Sequence, residues 1–249
     1  MAHYDTAFFD YVNSGSVRSA ERLLPTLYSD LAISSVLDIG CGQGAWLSVW
    51  NDIGIEDITG VDGDYVNRQH LLIANNHFQA ADLSKPFNLE RRFDLVQSLE
   101  VAEHLPPFSA EQFVDHLCLH GDLIFFSAAP PGQGGDHHVN ERPYEYWRQI
   151  FKRHGYSVFD YIRPLAEDQL DIEPWYRYNT FLYVAENRIE SLPEHIRATQ
   201  VPSGTPLVDV SPISYRIRKS LIRLLPVRVM TLLAKLKERH VARLRKHAT

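Results

Sequence analysis

The feature that most restricts the fold is a regular alternation of short apolar runs with amphipathic helical patterns. Runs rich in β-branched and aromatic residues predict seven strands, at residues 35–40, 57–62, 77–82, 93–99, 122–129, 156–162 and 179–185. Between most of them the spacing of apolar residues predicts helices, at residues 44–53, 64–75, 109–120 and 143–154. Strands that alternate with helices form a mostly parallel sheet covered on both faces. We therefore expect an α/β fold.

The last two predicted strands break this alternation. The segment that joins them, residues 163–177, is rich in proline and acidic residues and contains no long helical pattern. A parallel connection needs a long crossover, whereas antiparallel neighbours do not. The sequence therefore predicts an antiparallel hairpin at one edge of the sheet.

Composition shifts divide the chain into four parts. A helical pattern that contains Pro25 predicts an N-terminal helical cap at residues 1–34, before the α/β domain at residues 35–186. The Pro-, Ser- and Gly-rich residues 187–213 read as a linker, and residues 214–249 as a basic helical tail. The net charge of −6 hides this tail, because 11 of the 25 Lys and Arg residues lie in residues 216–249 with a single acid, Glu238.

The tail contains two amphipathic segments separated by Pro226. Their apolar stripes consist of Ile217, Leu221, Leu224 and Leu225 in the first segment and Val229, Leu232, Leu233 and Leu236 in the second. An apolar stripe flanked by Lys and Arg fits a helix that lies on an anionic membrane surface. Docking on an acidic face of the same or a partner subunit, or a solvated appendage, remain as alternatives.

The expected location is the cytoplasm, with peripheral attachment to the inner membrane surface as a variant if the tail binds lipid. No run of about 18 apolar residues predicts a membrane span, and the acidic, aromatic first residues do not resemble a signal peptide. The two cysteines, Cys41 and Cys118, suggest free thiols in a reducing compartment.

A glycine-rich turn follows the first predicted strand directly, in the segment VLDIGCGQGAW at residues 36–46. Gly40, Gly42 and Gly44 lie where the chain would leave the strand and enter a helix, and ligands of open parallel sheets bind at that place. Without Cβ atoms the backbone can turn sharply and touch a ligand. The same spacing also satisfies the dinucleotide pattern, with Asp62 at the distance of a ribose ligand, so a nicotinamide-dependent oxidoreductase is a rival hypothesis.

Two further acids favour a different ligand. The carboxylate of Asp38, just before the glycines, would attract the ammonium and sulfonium charges of S-adenosylmethionine but would repel a pyrophosphate. Asp82, at the end of the third predicted strand, could accept a hydrogen bond from an adenine amino group, although its sequence DLS also predicts a turn cap. The alternative for Asp62 is a purely structural role in a turn, and Asp64 is a rival candidate for the acid that binds the ribose.

With these residues the chain resembles the class I S-adenosylmethionine-dependent methyltransferases, over about residues 16–185. The resemblance implies a Rossmann-like seven-stranded sheet whose last strand is antiparallel. It also implies that the glycines wrap the methionine portion of the cofactor, that Asp62 holds the ribose hydroxyls, and that Asp82 and Leu83 hold the adenine, with Asp38 behind the glycine loop.

The loops after the fourth and fifth predicted strands, residues 98–107 and 130–147, would border the reacting methyl group. Glu100 and His104 have the i, i+4 spacing of an oriented acid–imidazole pair, or of a purely structural pair. His137 and His138 are candidates for a general base or for orienting the acceptor, and the sequence does not rank them. A His-His-x-Asn pattern has no recognised metal-ligand spacing, so no metal site is predicted.

Both loops resemble bacterial methyltransferases of surface-polysaccharide and secondary-metabolite pathways, which implies a small-molecule or sugar-containing acceptor. Asn140, Tyr176 and Asn179 are candidates for the acceptor pocket, because polar groups beside aromatic faces suit a sugar ring. Trp147 is expected in the core instead. Oxygen is the predicted acceptor atom and nitrogen the alternative. A nucleic-acid-binding methyltransferase or adaptor that uses the basic tail is disfavoured by the acidic body.

Overall fold

The structure of the chain is a computed structural model that describes residues 6–225 and residue 229, with side chains from residue 13 onwards. The strands within these residues are β1 Ser35–Ile39, β2 Asp57–Asp62, β3 Phe78–Ala80, β4 Leu95–Leu99, β5 Leu123–Ser127, β6 Tyr156–Phe159 and β7 Phe181–Ala185. The α-helices are α1 Thr6–Asp30, α2 Ala45–Asp52, α3 Ala110–His120, α4 Tyr144–Arg153, α5 Ile162–Ala166, α6 Pro174–Asn179, α7 Glu194–Arg197 and α8 Ile213–Ile222.

The seven strands form one sheet in the order β3-β2-β1-β4-β5-β7-β6. All neighbouring strands are parallel except β7, which pairs antiparallel with both β5 and β6. The Rossmann-like sheet with an antiparallel last strand is therefore confirmed. The strand order reverses direction between β1 and β4, and this reversal opens a crevice at the carboxyl ends of the two strands.

Both faces of the sheet are covered, as the continuous apolar runs require. The strands β1, β4, β5 and β7 are buried along their whole length. One hydrophobic cluster joins the sheet to α1 and α2, and a second joins it to α3 and α4. Trp147 lies in the second cluster and contacts Phe126, in agreement with the expected core position.

The helix predicted at residues 64–75 is wrong. The segment contains only a short 3₁₀ turn, Arg68–His70, in which the Asn67 side chain accepts from the Gln69 amide. Such a local side-chain bond competes with helix formation. The chain then extends over the glycine loop, where the Leu72 amide donates to the Gln43 carbonyl and Ile73 packs against Gly44.

Residues 187–213, which the composition predicts as a linker, lie against β6 and α4. The Val201 amide donates to the Val158 carbonyl, and the buried Arg148 guanidinium donates to three carbonyls of the segment, those of Val201, Pro202 and Thr205. Buried Arg163 donates in the same way to the carbonyl of Val208. The arginines satisfy backbone groups that no strand or helix pairs, so α8 begins from a fixed position on the body.

The first segment of the tail forms α8, which lies on residues 130–135. The buried Lys219 ammonium pairs with Asp209, while the Arg218 and Arg223 guanidinium groups donate to the carbonyls of Gln133 and Pro131. Three residues of the predicted apolar stripe face outward, since Ile217, Leu221 and Leu224 are 56%, 62% and 81% exposed, whereas the fourth, Leu225, is half-buried and lines the cavity. Leu232, Leu233 and Leu236 of the second predicted segment lie outside the described residues. None of the described helices has the length and hydropathy that a membrane span requires.

Candidate active site

A cavity of about 1380 Å³ occupies the crevice at the carboxyl ends of β1, β2 and β4. One end is bordered by the glycine loop and by three acids, Asp38 within β1, Asp62 at the end of β2 and Asp82 after β3. The other end is bordered by the loops after β4 and β5, and Tyr215, Arg218 and Ile222 of α8 form part of its wall. A single cavity therefore joins the two regions in which the sequence places cofactor and acceptor.

The glycine loop adopts a backbone that requires glycine. Gly40, Gly42 and Gly44 have φ angles of 91°, 55° and 84°, in the left-handed region. A Cβ on Gly40 would lie 2.3 Å from a methyl carbon of Val101. Gly42 instead borders open space on the cavity side, so its backbone is free to touch a ligand.

Asp38 and Asp62 are buried carboxyl groups on this wall. Burial raises the pKa of Asp38 to about 7, which the Gln97 amide offsets in part and the Asp62 charge reinforces. Burial also raises the pKa of Asp62, against hydrogen bonds from the Tyr65 hydroxyl and the amides of Gly42 and Gly63. Within the described residues neither carboxylate forms an ion pair with Lys or Arg. The wall thus suits a ligand that carries positive charge.

The third acid, Asp82, caps a turn at the edge of the cavity. Its Oδ1 accepts from the Ser84 amide and hydroxyl, at 3.1 and 2.6 Å, and its Oδ2 lies 3.0 Å from the Lys85 ammonium. Ser84 and Lys85 lower the pKa of Asp82, which stays ionised. Leu83 beside it is buried, and both residues line the cavity.

Glu100 belongs to a hydrogen-bonded network at the opposite end. It has a φ of 58°, which is uncommon for a residue other than glycine, and its carboxylate accepts from the side-chain amides of Gln133 and Asn179. Asn179 also donates to Gln133 Oε1 over 2.7 Å and accepts from the Tyr144 hydroxyl over 2.8 Å. Glu100 and Gln133 line the cavity, whereas Asn179 supports them from behind.

The structure ranks the two adjacent histidines. His138 is buried and lines the cavity, and its Nδ1 lies 2.9 Å from Glu141 Oε1. His137 has a φ of 56° and a side chain that is 47% exposed, 3.6 Å from Asp136 and outside the cavity lining defined by the described residues.

Glu141, which the sequence analysis missed, holds His138 in place. Its carboxylate also accepts from the amides of Gly132 and Gly134, at 2.6 and 2.7 Å. Although burial raises the pKa of Glu141, the His138 imidazole and these two amides hold it below its usual range. Because an ionised carboxylate can only accept, Nδ1 carries a proton in this contact, and Nε2 is the nitrogen turned away from Glu141. The only sequence signal is the i, i+3 spacing of His138 and Glu141.

His104 meets His138 across the cavity, and Glu103 lies below them. The two imidazole rings are edge to face with centroids 4.8 Å apart. The Glu103 side chain is wholly buried, and burial together with the neighbouring Glu100 raises its pKa well above the usual range. The i, i+4 spacing of Glu100 and His104 identified this turn, but Glu103 itself was missed.

The remaining acceptor candidates differ in position. Tyr176 lines the cavity, with its hydroxyl 2.9 Å from Ser16 Oγ and its ring against Trp46. Asn140 is buried behind the wall, where it donates to the Ala102 carbonyl and accepts from Arg142. Trp46, Gln43 and Tyr65 line the cavity without having been predicted to do so.

Residues 16–162 match a family model that describes a methyltransferase domain. The chain belongs to this methyltransferase family. It is a class I S-adenosylmethionine-dependent methyltransferase, and its cofactor is S-adenosylmethionine. The buried carboxylates of Asp38 and Asp62, which have no Lys or Arg partner among the described residues, and the open space at Gly42 fit a ligand with ammonium, sulfonium and ribose groups.

Several solved structures share this methyltransferase's fold. The sugar N-methyltransferase KedS8 from Streptoalloteichus sp is 16% identical with a TM-score of 0.56, over 74% of this chain and 94% of its own. DesVI from Streptomyces venezuelae is 16% identical with a TM-score of 0.54, over 74% and 100%. An O-methyltransferase family protein from Burkholderia thailandensis is 15% identical with a TM-score of 0.52, over 73% and 60%. At these identities the likeness is one of fold, and no curated protein matches the sequence.

Proposed function

We propose that this methyltransferase methylates a hydroxyl group of a small-molecule or sugar-containing acceptor. The observation that supports this most is the single cavity that runs from the glycine loop to His138 beneath α8. Small-ligand pockets typically measure about 300–1,000 Å³, so about 1380 Å³ suits a cofactor together with an acceptor of modest size. The wall formed by α8 disfavours a polymer laid across the site.

At the cofactor end of the cavity, the chain's own residues bind S-adenosylmethionine and orient it. When bound, S-adenosylmethionine supplies a methyl group on a positively charged sulfur. Asp38 provides negative charge behind the glycine loop, Asp62 accepts from ribose hydroxyls, and Asp82 and Leu83 border the adenine. Binding of this kind aligns the methyl group with the acceptor, which is the larger part of catalysis in such a transfer.

At the acceptor end, His138 accounts for a preference for oxygen. A neutral hydroxyl must lose its proton during the transfer, whereas a neutral amine attacks through its own lone pair. Glu141 directs the Nε2 lone pair of His138 toward the cavity, where it can accept that proton. Tyr176, Glu100 and His104 form the surrounding walls, and nitrogen remains the alternative acceptor atom.

A methyl-transfer assay tests this proposal. The protein is incubated with S-adenosylmethionine carrying a labelled methyl group and with matched panels of hydroxylated metabolites, nucleotide sugars, amino sugars and RNA oligonucleotides. We expect label on a hydroxyl oxygen of a small acceptor, with the position established by NMR. Labelling confined to RNA, or to amines, would contradict the proposal.

The Asp38 carboxyl predicts a pH dependence of cofactor binding. Because its pKa is about 7 in the free protein, it is largely neutral at lower pH, and a positively charged ligand must displace its proton. Affinity for S-adenosylhomocysteine should therefore rise by up to about tenfold per unit between about pH 5 and 7, and then level off. Calorimetric titration over this range measures it.

The matched variant is Asp38→Asn, which should bind with a flatter pH profile. The stability of the free protein should move in the opposite direction, since the native state keeps a proton that the unfolded chain releases above its ordinary pKa near 4. Stability should thus fall between about pH 4 and 7 in the wild type and less so in Asp38→Asn. If the affinity for S-adenosylhomocysteine depends on pH in the same way in the wild type and in Asp38→Asn, Asp38 does not belong to the cofactor site.

We further infer that α8 attaches the enzyme to an anionic membrane surface through its outer face. Ile213, Ile217 and Leu221 are exposed on that face, and the exposed Arg216 lies beside them. The inner face is already occupied by its contacts with residues 130–135 and Asp209. The apolar face therefore remains available while the inner face of α8 forms part of the cavity wall.

Cosedimentation with vesicles tests this attachment. The protein should pellet with vesicles that contain anionic lipid at low salt, and much less with neutral vesicles or at high salt. The double variant Ile217→Glu, Leu221→Glu should remain in the supernatant while its methyl transfer is retained. If the wild-type protein does not pellet with anionic vesicles, the outer face has another role.

A further inference from the structure

Three side chains beside the acceptor end of the cavity have the composition of a metal site. Glu103, His104 and His138 each offer one ligand atom, and these atoms lie within 4.8 Å of one another. Two come from the turn after β4 and one from the loop after β5. A methyl transfer that needs only cofactor binding and one general base does not explain why these three side chains lie together.

The Glu103 carboxylate is the observation that first points to a cation. It is 0% exposed, and within the described part of the chain neither of its oxygens accepts a hydrogen bond of normal length and angle, although the amides of Glu103 and Ala129 and the Glu100 carboxyl lie near them. No ion pair between either acid and a Lys or Arg is found among the described side chains. An uncompensated carboxylate is costly to bury, and a bound cation removes that cost.

The backbone fixes the imidazole of His138 above this acid. The amides of Val139 and Asn140 both donate to the Glu103 carbonyl over 2.9 Å, which joins the histidine loop to the turn that carries Glu103 and His104. The ligand set is therefore held together without an ion.

The surroundings of His138 suit a metal ligand. Its Nδ1 is bound by the Glu141 carboxylate, the arrangement that orients metal-ligating histidines and raises their basicity. Its Nε2 faces the space that a side chain at position 135 would fill, since a Cβ on Gly135 would lie 2.1 Å from Nε2. Glycine at this position thus keeps the lone pair of Nε2 accessible.

We propose that Glu103, His104 and His138 bind a divalent first-row transition-metal ion such as Mn²⁺, Fe²⁺ or Zn²⁺. Two imidazoles and one carboxylate are typical donors for these ions, whereas Mg²⁺ and Ca²⁺ prefer oxygen ligands alone. Metal–ligand bonds of about 2.0–2.2 Å place ligand atoms about 3–4 Å apart. The present separations therefore need only a small inward movement of the side chains.

Three protein ligands leave coordination positions that face the cavity. An acceptor hydroxyl that reaches such a position has a lowered pKa and loses its proton to water or a neighbouring carboxylate. In that case His138 serves as a ligand and not as the proton acceptor. This consequence rests on the proposed function, while the binding of the ion does not.

Direct binding measurements test the proposal. The full chain is treated with chelator, freed of it, and titrated with Mn²⁺ followed by the electron paramagnetic resonance of the free ion, and with Zn²⁺ in a calorimeter. We expect one ion per chain. His138→Ala and Glu103→Gln should each weaken binding by more than about a hundredfold, and Glu141→Gln by about 10- to 100-fold. The matched control His137→Ala removes the adjacent, outward-facing imidazole and should bind as the wild type does.

Thermal unfolding shows whether the variants are folded. Without metal, Glu103→Gln should be at least as stable as the wild type, because the amide keeps the shape of the side chain and cannot ionise beside Glu100. Added ion should raise the melting temperature of the wild type and of His137→Ala, and not that of Glu103→Gln.

Three outcomes would overturn the metal site: no stoichiometric binding by the chelated protein, wild-type affinity in both ligand variants, or equal loss in His137→Ala and His138→Ala. Methyl transfer by the metal-free protein separates this inference from the proposed function. Full transfer without an ion removes the metal from the reaction and leaves the hydroxyl acceptor standing, while the binding measurements alone decide whether the metal site exists. Stoichiometric metal binding without transfer to any small acceptor would support the metal site and contradict the proposed acceptor.

Discussion

Replacing His138 by alanine is expected to lower kcat for methyl transfer by about a hundred- to ten-thousandfold, the range associated with loss of a proton-transfer group. The imidazole lines the cavity at the acceptor end and is oriented there by Glu141. Among the described residues, its side-chain contacts are with Glu141, His104 and Gly135 and not with the glycine loop or Asp62. Affinity for S-adenosylhomocysteine should therefore stay within about twofold of the wild type, as expected for a group that acts on the acceptor.

The control is His137→Ala, which makes the same chemical change one residue earlier. His137 is half exposed and outside the cavity wall, so its loss should leave kcat and cofactor affinity close to the wild-type values. Steady-state kinetics and calorimetry on the three proteins provide the comparison. Full activity in His138→Ala, or an equal loss in His137→Ala, would show that the orientation by Glu141 has no part in the reaction.

The adjacent histidines show why the sequence alone could not assign this site. Neighbouring residues in a loop point in directions set by the backbone, and the φ of 56° at His137 turns its side chain away from the wall that His138 joins. The partner that orients His138, Glu141, and the buried Glu103 are recognisable only when the two loops are brought together. Spacing within one segment carries no information about contacts between segments.

The sheet, in contrast, was predictable. A strand that is buried on both faces must be continuously apolar, and the left-handed conformations of the glycine loop require glycine. Both features can therefore be recognised from the residues of one short segment. The helix expected at residues 64–75 failed because Asn67 offers its neighbours a competing hydrogen bond and Leu72 instead pairs with Gln43. A tertiary contact with the glycine loop overrode the helical pattern.

The tail was predictable only in part. Its apolar stripe was recognisable, but the face that contacts the body is a mixed one, on which Arg218 and Lys219 find carbonyl and carboxylate partners beside Ile222. Hydrophobic periodicity identifies a helix and its faces. It does not say which face finds the complementary surface, because that depends on unpaired backbone carbonyls in residues 130–135.

Asp62→Ala should weaken the binding of S-adenosylhomocysteine by about 10- to 150-fold, which corresponds to about 1.5–3 kcal/mol for hydrogen bonds to a charged group. The carboxylate is the proposed acceptor for the ribose hydroxyls and also holds the amides of Gly42 and Gly63 at 2.6 Å. Its removal deletes a ligand contact and loosens the loop that carries the other contacts. Calorimetric titration measures the change, and thermal unfolding without ligand shows whether the fold persists.

Two neighbouring variants determine whether the effect belongs to the Asp62 carboxylate. Asp64→Ala removes an equal charge from an exposed side chain two residues away and should leave the affinity unchanged. Tyr65→Phe removes a hydroxyl that donates to Asp62 Oδ1, in the direction proposed for a ribose hydroxyl. Since that hydroxyl competes with the ligand, its loss should leave binding unchanged or tighten it by up to about tenfold. Weaker binding in Asp64→Ala with no effect in Asp62→Ala would make Asp64 the ribose ligand, and a loss in Tyr65→Phe as large as that in Asp62→Ala would make the tyrosine part of the binding site.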